Sequence, residues 1–322
     1  MSEFTAFAAN PIPPEPSQES VRLLKRMSGA RTFMANVKPG GVNLFLYRLG
    51  MNAIALAARP PKGGSVTKIH TANGVRGRLV AGPHSDAANG MLMWVHGGGL
   101  ISGSPQQEQS IAAAFAEKAG IPVFLPRYRF APEHVFPAAA DDVLAAYRYV
   151  LDQGIPAAKI RLGGGSAGGS LVLGLLGDIH REGLPMPGAV ILISPMIQLS
   201  LDAAMARDAQ RPDPSTAPEF AVRANLAYAA GTPLTHPRLD HLANDMSDWP
   251  PILVQTGELE CIAADAELLR ASMLAAGRQC EVQLWPGQGH YFPAVGFRKV
   301  PEAKLAIDYG ARFLASEIWA RC

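Results

Sequence analysis

The stretch from Lys159 to Leu176 reads KIRLGGGSAGGSLVLGLL, and it determines how the rest of the chain is interpreted. A short run ends in three glycines, a single serine (Ser166) follows, and a longer apolar run begins after it. This order predicts a strand, a very tight turn and a buried helix. Gly164-Gly165-Ser166-Ala167-Gly168 has the G-x-S-x-G spacing of a nucleophile elbow, in which the serine projects from a strained turn. Glycine is expected at 164 and 168 because the strand and the helix must approach closely there.

The same glycines allow two other interpretations. Gly163, Gly165 and Gly168 also spell G-x-G-x-x-G, which is the dinucleotide fingerprint when it lies between a strand and a helix. That fingerprint needs an acidic residue about 20 positions further on, and Asp178 and Glu182 fall inside or just after the same helix. A glycine-rich turn with a purely structural role is the second alternative.

Composition restricts the class of protein. A chain of 322 residues with 48% apolar residues suits one large α/β domain with a modest addition, or two domains. Its 29 basic and 27 acidic residues give a net charge of +2, which makes no case for a nucleic acid or an anionic membrane surface. Three cysteines (Cys261, Cys280 and Cys322) form no disulfide framework, so a reducing, cytoplasmic setting is expected.

The N-terminal region predicts helices and no membrane segment. It lacks the basic start and apolar run of a signal peptide, and the apolar stretch 42–58 is interrupted by Arg48 and Asn52. Prolines within 9–16 predict an extended arm. Two helices are expected next, one capped by Ser17 and one over 43–57. We expect residues 1–58 to form an N-terminal helical cap segment and 59–322 the main domain.

Strands and helices alternate from about residue 90 onward, which predicts a mostly parallel sheet covered by helices on both faces. Two runs that flank Asn73-Gly74 predict a hairpin and an antiparallel start to the sheet. Besides the strand before Ser166, the predicted strands are 66–70, 75–81, 91–96, 121–125, 190–194, 252–256 and 280–285. The later predicted helices are 107–119, 141–153, 219–230, 267–276 and 301–320. Residues 200–245 form an expected insertion that contributes to the cap, since one helix needs far fewer residues.

Acyl transfer by serine also requires a base, and His290 is the predicted one among eight histidines. It lies in the glycine-rich segment WPGQGHYF, residues 285–292, directly after the last predicted strand. A loop there can place an imidazole over a strand-end site, and the order serine, acid, histidine is that of α/β-hydrolases. A lone histidine is otherwise more often a surface or capping residue.

The acid that orients the imidazole is expected after the penultimate strand, where Glu258, Glu260 and Asp265 compete. Glu260 is our prediction, because it follows Gly257 by three residues in the loop. Asp265 is expected to cap the next helix, although it stays open as an alternative acid. Glu258 is expected to be solvated. The neighbouring Cys261 is interpreted as a packed small residue.

The oxyanion hole needs backbone N–H groups that no side chain obstructs. The run His96-Gly97-Gly98-Gly99 follows an early predicted strand and fits this need. Gly98, Gly99 and Ala167 are the predicted donors, and a flexible triple-glycine turn is the alternative. His96 is expected to have a structural role.

Taken together, these motifs resemble the bacterial hormone-sensitive-lipase-like carboxylesterases, which have the α/β-hydrolase fold. The resemblance covers about residues 65–322 and rests on segments 96–99, 128–137, 164–169, 194–195 and 289–290. It implies a mostly parallel sheet with a helical cap, and a carboxylesterase without metal or cofactor that hydrolyses short- to medium-chain acyl esters. A small-molecule ester is the implied partner, and the implied assembly is a homodimer through the sheet edge.

Departures from the family pattern occur at four positions. Gly165 stands where Asp or Thr is usual, and Glu260 stands where Asp is common. Met196 and Gln198 replace an aromatic residue and an Asp, which is expected to change packing under the cap. Two rival functions are a small-molecule receptor on the same scaffold and a dinucleotide oxidoreductase. The first is disfavoured because all three triad residues are present, and the second because it leaves His290 without a role.

Overall fold

The computed structural model describes residues 12–296 and 299–316. Within them, eight strands form one sheet in the order β1-β2-β4-β3-β5-β6-β7-β8. The pairs β1–β2 and β2–β4 are antiparallel and the remaining pairs are parallel. The strands are β1 Ser65–His70, β2 Arg76–Ala81, β3 Met91–Val95, β4 Val123–Pro126, β5 Ile160–Gly165, β6 Ala189–Ile193, β7 Ile252–Gly257 and β8 Cys280–Trp285. The predicted mostly parallel sheet with an antiparallel hairpin at its start is therefore confirmed.

The predicted helices are all found, with bounds that differ by a few residues. Two helices were not predicted: α6 in the insertion and α9, which follows the segment that holds His290. The helices are α1 Gln18–Ala35, α2 Val42–Ala57, α3 Gln109–Ala119, α4 Ala138–Leu151, α5 Ala167–Arg181, α6 Asp202–Gln210, α7 Pro218–Ala229, α8 Ala264–Ala275, α9 Phe292–Gly296 and α10 Pro301–Ala315. Residues 317–320, predicted to extend α10, and 9–11 of the predicted arm lie outside the described residues, as does Cys322.

The core lies on both faces of the sheet. All five residues of β3 are buried. Met93 and Val95 belong to the apolar cluster that α4 and α5 cover, while Leu92 and Trp94 belong to the one that α3 and α10 cover. Because successive side chains of a strand point to opposite faces, a central strand covered by helices on both sides is apolar throughout.

The N-terminal helices are tied to the insertion by polar contacts. Ser17 caps α1 as predicted, since its hydroxyl accepts from the Ser20 amide at 3.2 Å. Arg31 of α1 pairs with Asp208 at 2.7 Å and donates to two carbonyl oxygens of the 213–216 segment at 2.7 and 2.8 Å. The described residues contain no helix with the length and apolar character needed to cross a bilayer.

Candidate active site

The serine elbow lies where β5 ends and α5 begins. Ser166 has φ 54 and ψ −123, a conformation that L-residues rarely adopt. Its amide donates to the carbonyl oxygen of Ile193 at 3.0 Å, which fixes the turn against β6. A Cβ on Gly164 would lie 2.7 Å from the carbonyl carbon of Gly168, and one on Gly168 would overlap the backbone of Val95. Glycine at 164 and 168 therefore permits the close packing of strand and helix that the sequence predicted.

Strained backbone is concentrated around this turn. Among the described residues, six non-glycine residues have a positive φ. Four of them lie in the site or directly beside it: Leu100, Ser166, Ser194 and Tyr291. Such conformations persist only where the surrounding contacts hold them, and they cluster at functional sites.

His290 is the histidine that reaches the elbow. Its Nε2 lies 3.1 Å from Ser166 Oγ, and its Nδ1 lies 2.7 Å from Glu260 Oε2. Burial lowers the pKa of His290, but the hydrogen bond and the charge of Glu260 outweigh burial and leave the pKa raised. The structure thus brings together the three side chains that the sequence nominated.

The Glu260 side chain is fully buried and has donors on both oxygens. Its Oε1 accepts from Ser194 Oγ at 2.6 Å, from Thr256 Oγ1 at 3.2 Å and from the Gly257 amide at 2.6 Å. The amide is supplied by the tight turn after β7. These donors stabilise the charged carboxylate and orient Oε2 toward His290. The longer arm of a glutamate is accommodated in this way.

Asp265 does not cap α8, so that prediction was wrong. The N-cap position of α8 is Ala263, and Asp265 lies inside the first turn. Its Oδ2 accepts from the Gln198 amide at 3.2 Å, and burial raises its pKa to about 6. Glu258, expected to be solvated, is half-buried: it pairs with Arg211 at 2.9 Å and accepts from the Gly287 amide at 3.0 Å. Neither carboxylate is a hydrogen-bond partner of the candidate base.

The glycine loop that holds two of the three predicted amide donors lies beside the elbow, and Ala167 directly follows Ser166. The glycine loop lies against it, since a Cβ on Gly97 would be 3.3 Å from Ser166 Cβ. Gly98 and Gly99 have φ of 119 and 66. In the part of the chain that the structure describes, the amides of Gly98, Gly99 and Ala167 donate to no other protein group. They are available to a ligand oxygen.

The loop that carries the Gly98 and Gly99 amides is stabilised by contacts with His96, Tyr128 and Ser102. His96 is buried, its Nδ1 lies 2.8 Å from the carbonyl oxygen of Gly97, and its ring stacks on Tyr128 at 4.2 Å. Burial lowers the pKa of His96 to about 4, so the ring is neutral. Tyr128 Oη donates to the carbonyl oxygen of His96 at 2.9 Å, and Ser102 Oγ donates to that of Gly98 at 2.9 Å. This arrangement fits the structural role predicted for His96.

The Gly165 departure from the family pattern is explained by Tyr291. A Cβ on Gly165 would overlap the Cε2, Cζ and Oη atoms of Tyr291. The tyrosine hydroxyl donates to Glu108 Oε2 at 2.6 Å. Burial raises the pKa of Glu108 to about 7, although its hydrogen bonds oppose the shift. The ring next to His290 therefore fills the space that a side chain at 165 would occupy.

The insertion and α1 hold the acid and histidine loops in place. Arg207 of α6 donates to the carbonyl oxygens of Glu260 at 2.9 Å and Glu258 at 2.6 Å. Ser215 Oγ accepts from the His290 amide at 3.2 Å, and Ser20 Oγ of α1 donates to Gln288 Oε1 at 2.6 Å. Sequence reasoning assigned no role to these supporting residues. They carry no motif, because their partners lie in distant segments and are mostly main-chain atoms.

The other two departures have local contacts. Met196 is buried, and its amide donates to the carbonyl oxygen of Ser166 at 3.1 Å. Gln198 forms an isolated antiparallel bridge with Asp240. Cys261 is a buried free thiol, as expected, and its amide donates to Asp213 Oδ2 at 3.0 Å.

Comparison with known proteins agrees with this architecture. The profile of a family described as having the alpha/beta hydrolase fold matches residues 92–294. An acetyl-hydrolase of Streptomyces hygroscopicus is 34% identical over 69% of this chain and 74% of its own length. A carboxylesterase/phospholipase of Mycobacterium tuberculosis, LipF, is 32% identical over 80% of this chain and 70% of its own.

Solved esterase structures are also similar. An esterase from the bacterial hormone-sensitive lipase family superimposes with a TM-score of 0.82 at 28% identity, covering 94% of this chain and 99% of that chain. The esterase EstE5, soaked with p-nitrophenyl butyrate, gives a TM-score of 0.83 at 30% identity over the same shares. The chain belongs to the α/β-hydrolase fold family. Within it, this protein is a carboxylic ester hydrolase of the hormone-sensitive-lipase-like group.

Membership in this group removes the oxidoreductase interpretation of the glycines. A Cβ on Gly163 would lie 2.8 Å from Trp94 Cζ3, and the space beside Gly165 is filled by Tyr291. These glycines therefore accommodate neighbouring side chains of the same chain. A dinucleotide pyrophosphate would need that space beside the turn.

Proposed function

We propose that the enzyme hydrolyses short- to medium-chain acyl esters through an acyl-enzyme on Ser166. The observation that carries the proposal is the continuous contact from Glu260 to His290 at 2.7 Å and from His290 to Ser166 at 3.1 Å. Glu260 accepts the Nδ1 proton of His290, which leaves Nε2 free to act as the base. The tautomer follows from this contact, because the buried carboxylate can only accept.

The first half-reaction begins when Ser166 Oγ attacks the ester carbonyl carbon while its proton moves to His290 Nε2. The imidazolium that forms is stabilised by Glu260. Negative charge develops on the former carbonyl oxygen, and the amides of Gly98, Gly99 and Ala167 are proposed to receive it. When the intermediate collapses, His290 returns the proton to the leaving alkoxide, and the acyl group stays on Ser166.

The second half-reaction uses the same groups. Water loses a proton to His290 as it attacks the acyl-enzyme carbonyl. The oxyanion forms again at the same amides, and the proton then returns to Ser166 Oγ when the acid leaves. No residue outside this set transfers a proton.

The acyl-chain proposal rests on the walls beside the elbow. A Cβ on Gly99 would lie 3.3 Å from the ring of Phe220 on α7, and that ring packs edge-on against Tyr47 of α2 at 5.2 Å. A cavity of only about 10 Å³ lies one helical turn beyond Ser166 and is lined by residues that include Leu100 and Leu171. A cavity of this size holds no more than about one water molecule. A long acyl chain would find no preformed space there, and we propose short acyl chains for that reason.

Both regions that supply these walls belong to the proposed cap. We keep the division into residues 1–58 and 59–322, with 200–245 contributing to the cap. It is supported by the contacts of Arg31 with the insertion and by the Phe220–Tyr47 contact. The homodimer that the resemblance implies stays a proposal. It is supported by β8, which forms one edge of the sheet and whose Leu284 side chain is 45% exposed. A cytoplasmic location likewise stays a proposal, supported by the free thiols Cys261 and Cys280.

The assignment of the triad is tested by stopped-flow release of p-nitrophenol from p-nitrophenyl butyrate. Ser166→Ala and His290→Ala should each lower kcat by about 10⁶. Glu260→Gln should lower it by about 10⁴, because the imidazole loses its fixed tautomer. Asp265→Asn is the matched control and should retain most activity. Undiminished release by Ser166→Ala would remove the proposal, and a loss confined to Asp265→Asn would reassign the acid.

The acyl preference is tested with p-nitrophenyl esters from acetate to decanoate. We expect the highest kcat/KM at butyrate or shorter. A preference for octanoate or longer would contradict the proposed pocket. The triad assignment would stand in that case, since the two experiments measure different features.

A further inference from the structure

Charge is segregated along this chain in a way that the net value conceals. Residues 18–78 contain eleven Lys and Arg residues and a single acidic residue, Glu19. The whole chain holds 29 basic and 27 acidic residues, so the remainder is acidic. Such asymmetry is typical of chains that bind polyanionic partners. The argument from net charge against an anionic surface therefore does not apply to the N-terminal region.

Six basic side chains line one cleft beside α2, five of them from this region and Arg127 from the segment after β4. The cleft has a volume of about 710 Å³ and lies between α2 and the β1–β2 hairpin. No Asp or Glu lines it. We call it the cationic cleft, and its basic residues are Arg48, Lys68, His70, Arg76, Arg78 and Arg127.

The cations of the cleft are poorly neutralised by the chain itself. Arg48 pairs with Glu133 at 2.7 Å, and Arg78 donates to the neutral amides of Gln106 and Gln109 at 2.9 and 3.1 Å. Among the described residues, no carboxylate forms an ion pair with the other cations of the cleft. Their charge is available to an anion outside the chain.

Strand register places these basic residues directly opposite one another. Lys68 of β1 faces Arg78 of β2, and His70 faces Arg76. Arg127 follows β4, and its amide donates to the carbonyl oxygen of Arg76 at 2.8 Å. Like charges in facing positions, here Lys68 and Arg78, destabilise a sheet. An external anion over this face would relieve the repulsion.

The solvent face of α2 is apolar and borders the cationic cleft. Val42, Phe45, Leu46, Leu49 and Leu56 are exposed at 76, 67, 46, 55 and 81%. Their spacing of three, four and seven residues places them on one side of the helix. Leu56 lines the cleft as well, so the two features are continuous. We call this face the α2 ridge; contiguous exposed apolar side chains of this kind mark interaction surfaces.

An apolar ridge beside unneutralised cations matches the surface of an anionic bilayer. A second copy docked by two-fold symmetry would bring the same cations against each other. A nucleic acid would engage the cations and leave the ridge exposed to water. We propose that the α2 ridge and the cationic cleft dock this enzyme reversibly on anionic lipid, with the ridge entering the headgroup region and the cations facing lipid phosphates. The proposal is independent of the triad assignment.

The test is co-sedimentation of the full chain with vesicles of phosphatidylglycerol or phosphatidylcholine at low and high salt. The wild type should bind phosphatidylglycerol, bind phosphatidylcholine far more weakly, and lose affinity as salt increases. Lys68→Glu combined with Arg76→Glu should weaken binding at least about 25-fold, from about fivefold for each basic residue near an anionic surface. Phe45→Ser combined with Leu49→Ser should weaken it about tenfold or more, because burial of the ridge is lost.

Matched variants separate docking from general effects of charge and hydrophobicity. Lys304→Glu on exposed α10 and Leu274→Ser, at 53% exposure on α8, should bind like the wild type. Ser166→Ala should also bind unchanged, which distinguishes docking from turnover. Thermal melting checks that each variant is folded.

Three outcomes would overturn the proposal. The first is equal binding to both lipids, or unchanged binding in the cleft and ridge variants. The second is a pair of results: Phe45→Ser with Leu49→Ser binds vesicles like the wild type, and calorimetry detects pyrophosphate binding that only Lys68→Glu with Arg76→Glu loses. This pair would indicate a site for a free anion. The third is a change in sedimentation mass of the ridge variant without lipid, which would indicate an interface between copies of the chain.

Discussion

Replacing Gly165 with alanine tests whether Tyr291 occupies the space beside the elbow. Gly165 does not have a positive φ, so alanine causes no backbone strain there. The loss of stability therefore comes only from the overlap of the new methyl group with its neighbours. If the ring stays, the added methyl group overlaps three of its atoms, and overpacking of this kind costs about 1–3 kcal/mol. If the ring moves, Tyr291 loses its 2.6 Å bond to buried Glu108, which costs about 1–3 kcal/mol. Either route gives about 2 kcal/mol, or about 3 °C in Tm for a chain of this size.

Activity should fall together with stability, because Tyr291 directly follows His290. A displacement of the imidazole by about 1 Å can cost about 10²-fold in rate, so we expect kcat on p-nitrophenyl butyrate to fall by about tenfold to a hundredfold. Gly174→Ala is the matched control on α5. A Cβ there meets nothing closer than 3.4 Å, and the change should be neutral or stabilise the helix by up to about 1 kcal/mol.

A double-mutant cycle isolates the contact. In a Tyr291→Ala background the ring is absent, and Gly165→Ala should change the free energy of unfolding by no more than about 0.5 kcal/mol. Equal losses of stability in both backgrounds would refute the reasoning. So would a Gly165→Ala enzyme with wild-type Tm and kcat.

Three further predictions concern the candidate site. When kcat/KM is plotted against pH, the midpoint of its acid limb should lie above the ordinary histidine pKa of about 6.5. The neutral imidazole is the base, so activity is lost as pH falls through the raised pKa of His290. In Glu260→Gln this midpoint should move to lower pH, and an unshifted midpoint would contradict the Glu260–His290 contact. Gly98→Ala places a side chain against Ser102 and should cost about 10²–10³ in kcat by displacing an oxyanion donor, whereas Gly120→Ala, equally left-handed but unobstructed, should leave kcat unchanged. Leu171→Ala enlarges the small cavity beyond the elbow and should move the ester-panel optimum to longer acyl chains; an unchanged optimum would place the acyl group elsewhere.

Some features of the proposed cap and of the acid loop were not anticipated from the sequence. The net charge of +2 made no case for an anionic surface, because it averages over residues 18–78, which are basic, and a remainder that is acidic. Helix α6 was not predicted, although its Arg207 supports the loop of the candidate acid. Asp265 was assigned a capping role from its position before a predicted helix, but the helix begins one residue before it. Element boundaries depend on hydrogen bonds that tertiary contacts decide.

The sequence by itself predicted the sheet and the elbow, and it nominated Ser166, His290 and Glu260, which the structure brings together. These follow from local constraints: glycine where backbones approach, apolar runs where strands are buried, and short loops that begin at strand ends. Only the tertiary structure decided which groups hold that site. Ser194 donates to the Glu260 carboxylate, Arg207 donates to the Glu260 carbonyl oxygen, and Tyr291 fills the space beside Gly165, and each of these contacts joins distant segments. The sequence shows which residues are present. The distances between them that allow hydrogen bonds are set only in the folded protein, where the strand ends lie side by side.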